Sequence, residues 1–176
     1  SASPRMRMVL KDATWTVKSY YEIWQQLPYV QNGMIGTGVY ALTKEGRSRF
    51  KAFPNIIADD GFIRALFKDN ERTSVNNCYS LICAPKDLNG LMKIKTRSRL
   101  GRYQLYDYYP ELVCNENKDY NKAIRKFVLK IWLWPKLIIY LYVNLISRLK
   151  AKQYDYKNVV WIRDESSREI KNAKYM

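Results

Sequence analysis

Hydrophobic residues first recur at helical spacing between Asp12 and Pro28. Asp12 is the predicted N-cap of this helix, and Pro28 is expected to stop it. The apolar positions between them are Val17, Tyr20, Tyr21, Trp24 and Leu27. Such an aromatic-rich stripe is typical of a buried helix face. A platform on which a sugar ring stacks is the alternative.

Two further segments with helical spacing each follow aspartate residues. The first begins at the adjacent pair Asp59 and Asp60, and its apolar members are Phe62, Ile63, Leu66 and Phe67. The second begins after Asp87, its predicted N-cap, and its apolar members are Leu88, Leu91, Met92 and Ile94. Acidic residues are favoured at these places because the first N–H groups of a helix lack intrahelical partners and carry partial positive charge.

Shorter apolar runs bounded by turn residues predict strands. These runs are Val39–Leu42, Ile56–Ala58 and Asn77–Ala84, the last closed by Pro85. The basic segment Ser1–Lys11 is expected to be extended, and the tyrosine-rich stretch Tyr103–Asp119 to be an irregular connection.

The run Phe127–Leu149 has the length of a membrane span, but Lys130, Pro135 and Lys136 interrupt it. We expect one or two helices that lie in the bilayer interface, anchored by Trp132 and Trp134. A spanning helix and ordinary packed helices are the alternatives. A polar tail is expected after Lys150.

The amino-acid composition limits the classes of partner, catalytic mechanism and metal site that the chain can have. The 176 residues include 31 basic and 16 acidic side chains, and the net charge of +15 predicts an anionic partner such as phospholipid, nucleic acid or a diphosphate. The chain has no histidine, which excludes Ser-His-Asp and Cys-His catalysis and histidine-containing zinc sites. Its three cysteines have no zinc-like spacing, and the odd count favours a reducing compartment.

The stretch from Gly33 to Phe67 contains the residues best suited to chemistry. It opens on Gly33, Gly36 and Gly38, but it lacks the Lys-Ser/Thr of a phosphate-binding P-loop. The glycines either allow close backbone approach to a sugar or serve only the turn. Asp59 and Asp60 are either helix-start residues or a carboxylate site in which one residue acts as general base.

A basic stripe lies on the helix predicted after Asp87. Lys95, Arg99 and Arg102 share a helical face, with Arg97 nearby. Such a stripe is either solvated or binds phosphate oxygens, for which guanidinium groups are suited by their paired donors.

The order of several short motifs resembles the acceptor-side half of a family-2 inverting glycosyltransferase with the GT-A fold. These motifs are GTGVYAL, GRSRF, FPNIIADDGFIR, ER, AP, TRSRLGR and, near the end, RDESSR. They are most similar to bacterial enzymes that build surface polysaccharides. The resemblance implies an α/β protein that is the helix-rich C-terminal part of a GT-A fold with a mixed sheet. We expect three segments: an acceptor-side catalytic part over 1–117, a basic membrane-interface helical segment over 118–150 and a polar tail over 151–176.

By this resemblance, Asp60 is the catalytic base, and Asp59 orients the acceptor or stabilises the helix start. Gly36, Gly38, Arg97 and Arg99 would bind substrate, with Arg99 near the diphosphate. The family's Gln-x-x-Arg-Trp-like motif is reduced here to its arginine, because the aligned residues read TRSRL. The family's metal-binding Asp-x-Asp is absent from the chain. A divalent metal, Mg or Mn, is therefore expected only in a longer enzyme, with no metal ligands here, and the chain alone is expected to be inactive.

The implied partners are a nucleotide-sugar donor, a glycan or lipid-linked acceptor, and an anionic membrane surface on which the protein sits peripherally at the cytoplasmic face. Nucleic acid is disfavoured, because no RNA-recognition, zinc-finger or helix-turn-helix signature is present. The competing hypothesis is a basic, aromatic-rich module that binds membranes or nucleic acid without catalysis. In that case Asp59 and Asp60 have structural roles only.

Overall fold

A computed structural model describes residues 1–31, 38–115 and 127–154. The protein is α/β, with a small parallel sheet of two strands and a set of helices. The strands are β1 (Ala2–Val9) and β2 (Thr73–Cys83). The helices are α1 (Trp15–Trp24), α2 (Pro28–Gln31), α3 (Lys44–Arg47), α4 (Asp59–Leu66), α5 (Leu88–Tyr108) and α6 (Trp134–Gln153). Short 3₁₀ helices cover Asp69–Glu71, Pro110–Asn115 and Ile131–Leu133.

The sheet joins the predicted extended N-terminal segment to the strand predicted before Pro85. Its register runs from Ala2 opposite Thr73 to Val9 opposite Cys83, with an irregularity after Pro4. β2 starts earlier than predicted and is mostly exposed, so the expectation of a buried strand is wrong. The exposed ring of Tyr79 is instead covered by Arg7, whose guanidinium carbon lies 4.3 Å from the ring centroid.

The two other predicted strands do not form. In Val39–Leu42 only Ala41 pairs, in an antiparallel bridge with Ala2. The extended segment ends there because Thr43 caps α3 by accepting the Gly46 N–H at 3.1 Å. Ile56–Ala58 leads into a turn rather than forming a strand. There the Ile57 N–H donates to the side chain of Gln104, so it is not available to a strand ladder.

The helix starts and ends only partly follow the prediction. α1 begins at Trp15 after Thr14, so Asp12 is not its N-cap, and the helix ends at Trp24, ahead of Pro28. Asp87 is confirmed as the N-cap of α5, because its Oδ1 accepts the Gly90 N–H at 2.8 Å. The prediction that the chain is irregular from Tyr103 is wrong up to residue 108, because α5 continues that far.

The main core lies between α1, α5 and α6. Its fully buried side chains include Val17, Ile23, Leu91 and Val143, at about zero exposure. A second, smaller core surrounds α4, where Phe62, Ile63, Ala65 and Phe67 pack with Leu105. Because α5 contributes Leu91 to the first core and Leu105 to the second, it joins the two.

The C-terminal apolar run forms α6, which packs on α1 and α5. Lys136, which interrupts the run, is held by Glu22 of α1, with Nζ to carboxylate distances of 2.7 and 2.8 Å. In the ranges 1–31, 38–115 and 127–154, no helix is both long and apolar enough to cross a bilayer. α6 continues beyond Lys150 to Gln153, and the predicted tail from 155 onward, including RDESSR, lies outside the described residues.

Leu91→Ala should lower the free energy of unfolding by about 2–5 kcal/mol, because it leaves a cavity where α5 meets the main core. The matched control is Leu81→Ala on β2, where the side chain is 58 % exposed. Leu81→Ala should change the free energy of unfolding by no more than about 0.5 kcal/mol. Urea unfolding of the two variants and the wild type measures both values. Equal losses for the two variants would contradict the assignment of α5 to the core.

Candidate functional site

A cavity of about 850 Å³ opens between α1, α4, α5 and α6. Among the described residues, five basic side chains and one carboxylate, that of Asp60, line it. The basic residues are Arg64, Lys95, Arg99, Arg102 and Arg148. Its size is within the range of small-molecule sites, and its charge suits an anion.

Asp60 reaches the cavity from the first turn of α4. Its Oδ1 accepts the N–H of Gly61 at 2.7 Å, while Asp59 Oδ1 accepts the N–H of Asp60 at 2.9 Å. The N-cap is Ala58, which has no side-chain oxygen to offer. Both aspartates thus stabilise the helix start, but only Asp60 also faces the cavity.

The position of Asp60 depends on a close contact between α5 and the turn before α4. A Cβ at residue 101 would lie 2.8 Å from Ala58 Cβ and 3.2 Å from Ala58 N, so only glycine fits there without movement. One turn further along α5, Gln104 Oε1 accepts the Ile57 N–H at 2.7 Å. These two residues fix the turn, and therefore Asp60, relative to the basic side of α5.

The environment of Asp60 makes its carboxylate more basic. Burial raises its pKa above the ordinary value, and Asp59 adds to the effect. The Gly61 N–H and the charge of Arg97 oppose the shift. A carboxylate that is partly desolvated and faces a cavity accepts a proton more readily than one in water, which suits a general base.

The basic stripe of α5 lines the cavity. Arg99 Nη2 donates to Asn144 Oδ1 of α6 at 2.9 Å, which holds the guanidinium against α6. Burial lowers the pKa of Arg99, and Arg102 and Arg148 lower it further. Repulsion among these cations is a cost in the protein alone that a bound anion would relieve.

Aromatic rings hold Lys95 at the inner wall of the cavity. Its Nζ lies 4.9 Å from the Tyr20 ring centroid and 4.6 Å from that of Trp24. The Tyr20 ring stacks on Tyr140 at 5.2 Å. Burial, with Arg99 and Arg102 nearby, lowers the pKa of Lys95 to about 7. The ring faces act in the opposite direction, because they stabilise the ammonium form.

The structure brings some of the predicted site residues together and separates others. Asp60 and Arg99 line the cavity, and the positive charge of Arg97 lowers the pKa of Asp60. Asp59 is exposed and does not line the cavity. Gly38 does not line it either; it is exposed and has a positive φ of 74°. Gly36, with the rest of 32–37, lies outside the described residues.

Sequence reasoning assigned no site role to Arg64 or Arg148, and it considered Lys95 and Arg102 only as members of a basic stripe that is either solvated or phosphate-binding. Two signals were present: Arg64 follows Asp60 by one helical turn, and Lys95 and Arg102 share a helical face with Arg99. No local pattern links Arg148 to them, because it comes from α6 and reaches the cavity only through tertiary packing.

The described residues do not fit a metal site. Among them, no group of three or more Asp, Glu, Cys or His side chains is placed to hold a metal ion. Comparison with known proteins found no matching family model, curated protein or solved structure. The geometry of the cavity therefore carries the functional inference.

Gly101→Ala should destabilise the protein, although Ala in an open helix interior is favoured over Gly by about 1 kcal/mol. The added methyl meets Ala58 at 2.8 Å and must displace the turn before α4. Adding Ala58→Gly removes the opposing methyl, so the double variant should recover part of the loss. Melting curves of both variants and the wild type test this. A more stable Gly101→Ala would show that the helix and the turn are not in close contact.

Asp60→Asn should raise the free energy of unfolding at neutral pH, and the gain should shrink toward about pH 3. Burial raises the folded-state pKa of Asp60 above 3.8, so the charged carboxylate lowers stability above that pKa. This loss of wild-type stability disappears at a pH low enough that the Asp60 carboxylate is protonated in both the folded and the unfolded state. The amide oxygen can still accept the Gly61 N–H.

Urea unfolding across this pH range measures the effect. Asp59→Asn, the same change on the exposed neighbour, is the control. An Asp60→Asn protein less stable than wild type at neutral pH would show that the helix-start role outweighs desolvation.

Proposed function

We propose that this chain is the acceptor-side, C-terminal part of a GT-A glycosyltransferase that transfers a sugar, with inversion, from a nucleotide-sugar donor to a hydroxyl group. The observation that supports this most directly is the placement of one partly desolvated carboxylate, Asp60, in a cavity whose other charged lining residues, among those described, are basic. The acceptor is a glycan or a lipid-linked glycan in polysaccharide synthesis.

The proposed step is a single displacement. Asp60 takes the proton of the acceptor hydroxyl while that oxygen forms a bond to the anomeric carbon of the donor. The bond from the anomeric carbon to the diphosphate oxygen breaks, and the nucleoside diphosphate leaves with the electron pair. Attack from the face opposite the leaving group inverts the anomeric centre. A carboxylate is an adequate base because proton removal accompanies bond formation.

The arginines offset the charge that develops on the leaving group. Arg99, oriented by Asn144, and Arg102 are on the same side of α5 as Lys95. Groups that are already oriented and partly desolvated stabilise developing negative charge without further reorganisation. The mutual repulsion of these cations in the unliganded protein adds to their preference for a diphosphate.

The α/β architecture with a parallel strand pair is compatible with part of a GT-A domain, and the finer assignment to that fold is part of the proposal. In the complete enzyme a Mg or Mn ion would polarise the diphosphate. The described residues offer no group for it, so we assign its ligands to another part of a longer chain and derive no step through it.

One observation favours a second candidate, a membrane-binding module without catalysis. Trp132 is 73 % exposed and Leu129 is 83 % exposed beside Lys130. Large exposed apolar side chains of this kind mark interaction surfaces. Under this alternative Asp60 has only a structural role. The two candidates are compatible if a catalytic part sits peripherally on the cytoplasmic face of a membrane, which is the location we propose.

Asp60→Asn should lower the transfer rate of the complete enzyme by about 10²–10⁴, since losing general-base assistance typically costs that much. The assay is release of nucleoside diphosphate from UDP- and GDP-sugars in the presence of a bacterial membrane extract. Substrate affinity should change little, because the amide is nearly the same size. Asp59→Asn is the control and should reduce the rate less, since Asp59 lies outside the cavity lining. Near-normal turnover by Asp60→Asn would eliminate Asp60 as the base.

A further inference from the structure

One face of α6 is both exposed to solvent and part of the cavity wall. Its residues, which we call the apolar face, are Ile138, Leu141, Tyr142 and Leu145. They are between 49 and 64 % exposed. Their spacing of three and four places them on one stripe of the helix. A ligand in the cavity can therefore extend onto an apolar surface without leaving the site.

The basic part of the cavity wall has the opposite character. Arg99 and Arg102 of α5, with Arg148 of α6, line the same space as Leu141 and Leu145. A ligand that fits both parts has an anionic head and a hydrocarbon chain. Guanidinium groups bind phosphate oxygens through paired donors, so a phosphate head suits the basic part.

The surroundings of the apolar face favour a bilayer over a protein partner. The segment 127–154 has no Asp or Glu, while it contains Lys130, Lys136, Arg148, Lys150 and Lys152. The exposed Ile131 and Trp132 precede α6 directly. Tryptophan and lysine beside long aliphatic side chains are the composition of a helix that lies in an anionic membrane interface.

We propose that the apolar face of α6 docks on an anionic bilayer and that the cavity captures the phosphate head of a membrane lipid, whose hydrocarbon chain runs over the apolar face. The lipid phosphate enters from the membrane side, between α5 and α6. This inference deepens the proposed function, because such a lipid would be the carrier of the acceptor. Lipid capture itself requires neither Asp60 nor a sugar donor.

Vesicle flotation of the full chain tests docking and capture separately. The vesicles are neutral phosphatidylcholine, the same lipid with phosphatidylglycerol, and the same lipid with phosphatidic acid adjusted to equal surface potential. Wild type should bind both anionic vesicles at least about tenfold better than neutral ones. It should prefer phosphatidic acid, whose terminal phosphate is accessible to the cavity. Equal binding to neutral and anionic vesicles would overturn the proposal that the basic residues attract the protein to an anionic bilayer.

Docking is tested by Leu141→Asp with Leu145→Asp, and independently by Trp132→Ser before the helix. Each should weaken binding to both anionic vesicles by about tenfold or more. The matched control is Leu81→Asp on β2, which is exposed to a similar degree as Leu145. It should bind like wild type. Wild-type binding by both docking variants, with unchanged melting curves, would overturn the assignment of this face.

Capture is tested by Arg102→Gln, with Arg5→Gln at an exposed position of β1 as its control. Arg102→Gln should keep phosphatidylglycerol binding within about twofold but lose the preference for phosphatidic acid, because only the cavity distinguishes the heads. An unchanged preference for phosphatidic acid in Arg102→Gln would overturn the proposal of lipid capture. Full displacement of the wild-type protein from phosphatidic acid vesicles by inorganic phosphate equimolar to that lipid would also overturn it, because it would indicate a soluble ligand. Asp60→Asn removes the negative charge of Asp60 from the cavity lining, so it should keep or increase the preference for phosphatidic acid while it lowers the transfer rate. A failure of catalysis and a failure of lipid capture are therefore distinguishable.

Discussion

The contact between Gly101 and the turn before α4 is the constraint on which the site depends. Residue 101 has no room for a Cβ, because one would lie 2.8 Å from Ala58. This approach lets one long helix, α5, serve both cores, with Leu91 in one and Leu105 in the other. It also places Asp60, two residues after Ala58, across the same cavity as Arg99. A wider separation of the helix and the turn would divide the carboxylate from the guanidinium groups.

Stability and function conflict at this cavity. Burial disfavours the charged form of Asp60, and the basic side chains lower one another's affinity for protons. Each effect costs free energy in the protein alone, which the apolar packing around α1, α5 and α6 must offset. Such costs are typical of sites where a ligand or a transition state supplies the missing charge. The rings of Tyr20 and Tyr140 stack on each other, and Lys95 lies beside the Tyr20 ring.

Local patterns predicted the elements whose signals are local. The Asp87 cap and the helix starting at Asp59 follow from one helical turn of sequence, and both are present. The strand expected at Ile56–Ala58 failed because its N–H bonds to Gln104, 47 residues away along the chain from Ile57. Only part of the cavity lining could be predicted, because its other residues meet through contacts between distant parts of the chain. The spacing of Arg99 and its neighbours is visible in the sequence, whereas the meeting of that stripe with Arg148 depends on helix packing.

α6 shows how one apolar helix can serve two environments. Its inner residues Leu137, Tyr140 and Val143 are buried against α1 and α5, and the pair Lys136–Glu22 holds its first turn on α1. The apolar face, which includes Leu141 and Leu145, is therefore exposed to solvent at the cavity. Packing alone needs only one apolar face, so apolar residues on the outer face require a separate reason. A helix fixed to the protein on one side and resting on lipid on the other would supply that reason, and it would hold the basic cavity at the membrane surface.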